Sequence, residues 1–473
     1  MSNSDMGSSS IQLEPKMERS STLAMLALCI AATMVTLDLS LINTALPTIS
    51  EALGVTASTA IWLVTAYQIS VIGLLLPFAS LGEIVGHKRM FFYGLALFTV
   101  SSLVAGVFTD LPWLIVARCL QGIGGAAVGS VVTALIKRCY PADQLGRGMG
   151  IYALVVGLSF TAGPTVAAGI LAVSNWHCLF LVNVPVGIYC LYLSRRYIPA
   201  TKGSKGRFDL IGGVLCCAMF ILLILSLVAF ARGGVSAVAL FKLLGAFFCF
   251  ALLSYHQRKH AAPMLAIDLF KQRNFAFSSL TSICAFVTQG VAFIALPFFF
   301  HTFLSATPFM TGMLITPWPA VVACMAIISG MLSDRFNPGT LCTAGLLILA
   351  TGMFTLCFLP EKVVFLDIVW RMMICGAGFG LYQAPNLKMM ISSAPLERSG
   401  SASAIVALSR LLGQSFGAVL VSFAYNISPD RGPYIALGIG VAFALLGGLF
   451  SAVRKTKGIE TRTFNGSRPV EST

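Results

Sequence analysis

Acidic side chains are scarce in this sequence: 17 Asp and Glu among 473 residues, against 31 Lys and Arg. Charge of either sign makes up 10% of the chain and hydrophobic residues 57%, with a mean hydropathy of +0.88. Soluble domains carry about a quarter charged residues, so this composition excludes the soluble globular class. Histidine is rarer still, with five in all. No cluster of nucleophile, base or metal ligands is visible, which argues against an enzyme, a resident metal or a cofactor. The 13 cysteines lack paired metal spacing. Cys216, Cys217, Cys284 and Cys324 lie inside apolar runs and read as small packing residues. A channel's repeated polar filter sequence is also missing. The polar start, with Glu14, Lys16, Glu18 and Arg19, is not expected to be a cleaved signal peptide. The apolar run after it is too long and has no small-residue cleavage site.

Apolar runs of roughly 20 residues, the length that crosses a bilayer as a helix, recur along the whole chain. They cover Leu23–Leu46, Ala57–Leu81, Met90–Phe108, Leu111–Ile136, Met149–Val173, Cys178–Leu193 and Leu210–Ala231. Val235–Tyr255, Phe275–Phe300, Met310–Ile328, Leu341–Leu359, Val363–Gln383, Ser401–Ala424 and Tyr434–Val453 complete a set of fourteen. The basic residues test that number independently. Lys16/Arg19, Lys88/Arg89, Lys137/Arg138/Arg147, Arg195/Arg196/Lys202/Lys205/Arg207, Arg258/Lys259/Lys271/Arg273, Arg335, Lys388/Arg398 and Arg454/Lys455/Lys457 fall in the tails and in alternate gaps. The other gaps hold only Arg232, Lys362 and Arg431. An error of one span would invert the pattern after it, so an even number of spans with both termini cytoplasmic is predicted. The net charge of +14 then reflects membrane orientation and not nucleic-acid binding. The expected organisation is a tail (1–22), a six-helix bundle (23–207), a transmembrane hairpin (208–258), a connector (259–274), a second six-helix bundle (275–454) and a tail (455–473). The connector, with Met264, Leu265, Ile267, Leu269 and Phe270 beside basic ends, fits either an amphipathic surface helix or a plain link.

Charges inside spans are costly and tend to face a cavity or a partner. Asp38 is the one carboxylate well inside a span; Glu83 and Asp334 mark inner ends, and Asp367 an outer end. Asp38 and Arg118 lie at matching depths, about 10–12 Å below the outer boundary at 1.5 Å per residue. They can therefore pair. Desolvation draws a carboxyl toward its neutral form and an arginine draws it toward the charged one. Such a pair is either a proton-operated switch or a fixed strut between the first and fourth helices. Arg371 has Asp367 four residues earlier on its own helical face. Arg410 has no visible acidic partner and is a cavity candidate. Gly122, Gly124, Gly125 and Gly129, then Gly157, Gly163, Pro164 and Gly169, allow close helix approach and a bend. Pro317, Trp318 and Pro319 interrupt the tenth span. Two halves echo each other: Gly82-Glu83 to Gly86-His87-Lys88 against Ser333-Asp334-Arg335, and Arg118 with Gly122 against Arg371 with Gly376. Repeats of this kind underlie alternating-access carriers.

Five strings, in order and at their spans, resemble the major facilitator superfamily, and specifically its fourteen-helix drug:proton antiporter branch. They are Leu37-Asp38 with Asn43 to Pro47, Ala79 to Lys88, Arg118 to Gly125, Gly157 to Gly169, and Asn175-Trp176-His177 through Asn183 to Gly187. The sequence departs from the branch pattern at Ala79, Glu83, His87, Ala167 and Ala168. The resemblance implies an all-α polytopic fold of two six-helix bundles plus an inserted hairpin. It further implies a bacterial inner-membrane, proton-driven exporter of drugs and biocides that needs no cofactor. Asp38 and Arg118 are then the proton-coupling pair, and Glu83, Gly86, Lys88, Asp334, Arg335, Gly163 and Pro164 the gating residues. Trp62, Tyr67, Gln68, Gln121, Phe293, Trp318, Tyr382, Gln383 and Arg410 are candidate substrate contacts. Without a second deep acid, as in exporters of divalent cations, the reading leans to monovalent lipophilic cations or neutral amphiphiles. The alternative is a dedicated exporter of an endogenous metabolite or siderophore, with Arg410 receiving an anionic group. Protons, a small amphiphile and membrane lipids are the expected partners of a monomer, and periplasmic adaptors are left open.

Overall fold

The structure is a computed structural model that describes residues 19–139, 145–201, 203, 208–233, 236–257, 267–358, 365–394, 399–428 and 430–454. Lipid supplies no hydrogen bonds, so each crossing segment must satisfy its own backbone. The apolar runs accordingly fold as helices: α1 (Arg19–Ala52), α2 (Ala57–Val85), α3 (His87–Ala105), α4 (Leu111–Cys139), α5 (Leu145–Val173), α6 (Cys178–Tyr197), α7 (Leu210–Gly233) and α8 (Ala237–Gln257). They continue as α9 (Arg273–Leu304), α10 (Pro308–Ser333), α11 (Pro338–Leu356), α12 (Phe365–Ser392), α13 (Ser399–Ile427) and α14 (Gly432–Ala452). Thirteen of these are long and apolar enough to cross a membrane, and α3 is the exception, its first turn being His87-Lys88-Arg89. Among the described residues there is no β-strand. The side opposite the termini is called outer, following the orientation that the basic residues predict.

Several helices outrun their apolar runs. α1 carries Pro47 inside it and ends at Ala52 rather than Leu46. α6 extends to Tyr197 because its polar end, Ser194-Arg195-Arg196, stays helical. α10 breaks at Thr316, where Pro317 starts a new helical segment; proline has no N–H to continue the ladder and is well suited to a first turn. Within the connector, Ile267–Lys271 is a 3-10 turn, not an amphipathic α-helix, and 258–266 lies outside the described residues.

The two halves repeat one packing plan. α1 packs on α5 and α6, α2 on α4, and α3 on α4 and α6; with eight added to each number, α9 packs on α13 and α14, α10 on α12, and α11 on α12 and α14. Glycines set the closest approaches at equivalent places. A Cβ on Gly124 of α4 would stand 2.6 Å from the Phe98 nitrogen of α3, and one on Gly378 of α12 would stand 2.6 Å from the Gly345 oxygen of α11. Small residues matter here because lipid gives helices no hydrophobic incentive to associate, which leaves packing and hydrogen bonds. The halves meet through α1 against α9, α2 against α13 and α5 against α10, the last two exchanging under the repeat. The inserted hairpin breaks this symmetry, because α7 lies against both α2 and α13. Asn426 donates to the Ala231 carbonyl from α13 at 3.3 Å.

On the side of the termini, Arg454 follows α14 and is 4% exposed. It donates to Ser278 Oγ at 2.9 Å, Asn386 Oδ1 at 2.8 Å and Ser451 Oγ at 2.5 Å, binding α9, α12 and α14 together. Burial pulls its pKa below the ordinary arginine value.

Two glycine substitutions test this packing. Gly124→Val is expected to wedge α3 from α4 at a cost of about 1–3 kcal/mol. Gly169→Ala in α5, where an added Cβ meets nothing within 4 Å, is expected to be neutral or stabilising by up to about 1 kcal/mol. Thermal unfolding of the detergent-purified variants reads both.

Candidate functional site

Five helices converge on one carboxylate. Asp38 of α1 is fully buried, and its Oδ2 accepts from Nη1 of the equally buried Arg118 of α4 at 2.5 Å. Its Oδ1 accepts from Gln121 Nε2 and Asn183 Nδ2, both at 2.9 Å. The aspartate thus has both oxygens bonded, by a cation and two amides. Arg118 is held independently: Nε donates to the Leu63 carbonyl of α2 at 3.0 Å, and Nη1 also reaches Gln121 Oε1 at 2.7 Å. Its guanidinium lies 4.4 Å from the Tyr67 ring centroid, within cation–π range. Gln121 closes the ring by donating to Ser102 Oγ of α3 at 2.9 Å. Nη2 of Arg118 is buried without a hydrogen bond among the described residues. Pairing at this quality is what lets two charges sit in an apolar bundle at all.

A second feature ties this centre to the other half. Pro164 of α5 has no N–H, so the carbonyl four residues earlier, Phe160, loses its helical donor. Ser40 Oγ of α1, two residues beyond Asp38, supplies one at 3.1 Å. Gly163 is required at this contact, because a Cβ there would overlap the Ser40 side chain. The same stretch of α5 faces α10. A Cβ on Gly312 would overlap the Pro164 carbonyl and the Ala168 methyl, and Thr165 and Thr316 share a hydroxyl bond of 2.7 Å. Further out, Glu51 and His301 approach to 3.3 Å between α1 and α9. In this conformer the outer ends of the halves are therefore in contact.

The remaining sequence candidates separate into groups. Tyr67 and Gln121 belong to the ion-pair shell. Gln68 sits on the seam, accepting from Ser415 Oγ of α13 at 3.0 Å. Phe293, Trp318 and Tyr382 are buried in an aromatic stack within the C-terminal half that also contains Phe379, with centroids 5.5 Å apart for Phe293–Trp318 and 5.2 Å for Phe379–Tyr382. Phe293 alone of these reaches across, to Phe160 at 5.3 Å. Trp62 is half-buried against the N-terminal core, and Gln383 is half-buried. Arg410 is half-buried and makes no hydrogen bond to the described residues; its charge is within reach of the phenols of the buried Tyr67 and the half-buried Tyr152. Gln414 Nε2 meets Gln289 Oε1 at 3.4 Å nearby on α13 and α9. Arg371 pairs locally with Asp367 at 3.0 Å and also donates to the Thr355 carbonyl.

Of the gating candidates, Gly86 has φ +103, and a Cβ there would meet the Thr201 oxygen at 2.6 Å. Lys88 Nζ donates to the carbonyls of Arg195 and Ile198 at 3.0 and 2.6 Å, neutralising the C-terminal end of α6. Glu83 and Arg335 are exposed, and the Asp334 side chain lies outside the described residues. Sequence reading missed Ser40, Ser102 and Asn183 as site residues. Only Asn183 left a signal, inside the Asn175-to-Gly187 string.

Comparison with known proteins agrees with this architecture. Residues 28–418 match the Major Facilitator Superfamily. The chain is 42% identical over 441 residues to the uncharacterized transporter YebQ of Escherichia coli (strain K12), covering 92% of this chain and 95% of that protein. It is 27% identical over 413 residues to the riboflavin transporter RibZ of Clostridioides difficile (strain 630), covering 86% and 90%. It is 29% identical over 407 residues to the multidrug resistance protein Stp of Mycobacterium tuberculosis (strain ATCC 25618 / H37Rv), covering 85% and 75%. A crystal structure of a POT family transporter with a thioalcohol conjugated peptide shares the fold, with TM-score 0.70 over 90% of this chain and 94% of that one at 14% identity.

The buried pair makes a stability prediction. Arg118→Ala leaves a buried carboxylate without its cation and is expected to cost about 3–5 kcal/mol. Combining it with Asp38→Asn removes the orphaned charge and is expected to restore a large part of that loss. A loss in the double variant equal to the sum of the Arg118→Ala and Asp38→Asn losses would show that the two side chains are not coupled.

Proposed function

Because the chain belongs to the major facilitator superfamily, we propose that this membrane transporter is a proton-driven antiporter of the fourteen-helix drug-exporting branch, with Asp38 as its proton carrier. The observation that carries this reading is Asp38 itself. Among the described residues it is the one buried carboxylate, and it is linked through Ser40 to the α5 segment that touches the opposite half. With the outer side open, Asp38 takes a proton. Its hold on Arg118 weakens, and the guanidinium keeps the Leu63 carbonyl, Gln121 Oε1 and the Tyr67 ring as partners. The halves then rock so that the outer ends meet, the proton leaves to the cytoplasm, and the pair re-forms as substrate loads. A bonded Asp38–Arg118 pair beside closed outer ends is the arrangement this cycle requires after proton release. Lys88 and Gly86, with Glu83 and Arg335, are the candidate counterpart latch on the termini side.

Gln68 and Ser415 meet across the seam between the halves, and Gln289, Gln414 and Arg410 lie on the adjoining helices α9 and α13. A binding surface of amides, a hydroxyl and one cation, flanked by Phe160 and Phe293, suits a neutral amphiphile with hydrogen-bonding groups better than a lipophilic cation. Stp, named for multidrug resistance, favours drug export; RibZ, named for riboflavin transport, favours a metabolite. Arg410 gives the second reading its physical basis, since a half-buried guanidinium without a bond to the described residues can receive an anionic group. Competition between anionic and neutral compounds on purified protein separates the two.

Coupling is tested by substrate-induced proton release from detergent-solubilised protein. Wild type is expected to release protons on adding a transported compound, and Asp38→Asn to release none while losing efflux from cells. Unchanged release from Asp38→Asn would remove this residue from the mechanism.

A further inference from the structure

The termini-side end of α3 carries an open cavity of 520 Å³ walled by Lys88, Arg89 and Arg195, with Val85 and Tyr93 beside them. A second, of 480 Å³, shares Lys88 and adds Arg138 and Arg196. Among the described residues neither wall contains an acid. The excess of cations on this side is what membrane orientation requires. Orientation alone does not require several of them to converge on one hollow, however. Lys88 is fixed by the carbonyls of Arg195 and Ile198, so its charge stays at the back of the cavity. Arg89 and Arg195 are exposed and make no side-chain hydrogen bond or ion pair with the described residues, which leaves both guanidiniums available to a ligand.

The surroundings decide which ligand. α3 and α6 pack together, and their outward faces are apolar from the cavity onward. Tyr93 is 68% and Val100 59% exposed on α3, while Ile188 is 60% and Tyr192 58% exposed on α6. Tyr192 lies one turn from Arg195 and Tyr93 one turn from Arg89, the interfacial position that tyrosine favours beside lipid headgroups. A molecule that fits has a phosphate for the cations and hydrocarbon for the seam above them. Basic hollows at the cytoplasmic ends of membrane helices suit anionic headgroups on these grounds.

We propose that this groove binds an anionic phospholipid, with its phosphate between Lys88, Arg89 and Arg195 and its acyl chains along the α3–α6 seam. The site is separate from the Asp38 centre and does not rest on the antiport reading. A zwitterionic lipid brings its own cation and leaves the wall's charge unanswered. A soluble phosphate ester uses the cations but not the apolar seam.

The test uses the full chain in neutral detergent, with phosphatidylglycerol or phosphatidylcholine of identical acyl chains added and lipid retention read by native mass spectrometry. Wild type is expected to retain phosphatidylglycerol on the order of tenfold better. The Arg89→Gln/Arg195→Gln variant is expected to bring that ratio near one, with an unchanged melting temperature in lipid-free detergent. Each single variant is expected to give an intermediate ratio, so the test stands even if the double variant is unstable. sn-Glycerol 3-phosphate at equal concentration is expected to displace nothing. Its displacing the lipid would assign the groove to a soluble phosphate ester and overturn the proposal. So would equal preference in wild type and the Arg89→Gln/Arg195→Gln variant.

Discussion

A carboxylate and a guanidinium, both shut away from water at 2.5 Å in an apolar bundle, constrain everything around them. Removing two charges from water costs several kcal/mol each, and only near-complete pairing and hydrogen bonding make it tolerable. This explains why five helices contribute to one small volume. Gln121 bonds to both members of the pair, Asn183 donates to the same aspartate oxygen as Gln121, and Leu63 lends a carbonyl to the arginine. It also explains why such a centre suits a switch. Adding one proton changes the charge of a group whose neighbours were all chosen for the charged form.

The path from that centre to the other half runs through backbone chemistry rather than through more charges. Pro164 frees a carbonyl, Ser40 occupies it, and Gly163 lets α1 come close enough for the bond. The same turn of α5 abuts Gly312 and Thr316 of α10. A shift of α1 near Asp38 therefore has a short route to the seam. The inserted hairpin leans on the opposite seam, where α7 touches both α2 and α13. The two seams related by the internal repeat are thus unequally covered, since α7 lies along the α2–α13 seam and not along the α5–α10 one.

Much of the fold could be read from the chain because a bilayer imposes one strong rule: spans must be long, apolar and flanked by cations on a fixed side. The fourteen helices, the break at Pro317 and the local Arg371–Asp367 pair all follow from runs, prolines and spacing. Matching depth brought Asp38 and Arg118 together, even though α1 continues past Pro47 and so ends later than its apolar run. What escaped was the identity of the small polar partners. Serines and amides recur throughout apolar spans, and nothing in the order of residues singles out Ser40 or Ser102. The aromatic candidates illustrate a second limit. Lipid and protein interior favour the same side chains, so Trp318 and Tyr382 gave no hint that they pack inside the C-terminal half. Ser415, which meets Gln68 across the seam, and Gln414, which meets Gln289 within the C-terminal half, were similarly silent.

Whether Asp38 changes protonation is the question on which the account turns. Infrared difference spectroscopy of purified protein, recorded across neutral pH with and without a transported compound, observes the carboxyl stretch directly. The account predicts a protonated-carboxyl band that appears as pH falls, diminishes when the compound binds and is missing in Asp38→Asn. A band unaffected by the compound, or one that survives intact in Asp38→Asn, would contradict it and leave the buried pair as a fixed strut between α1 and α4.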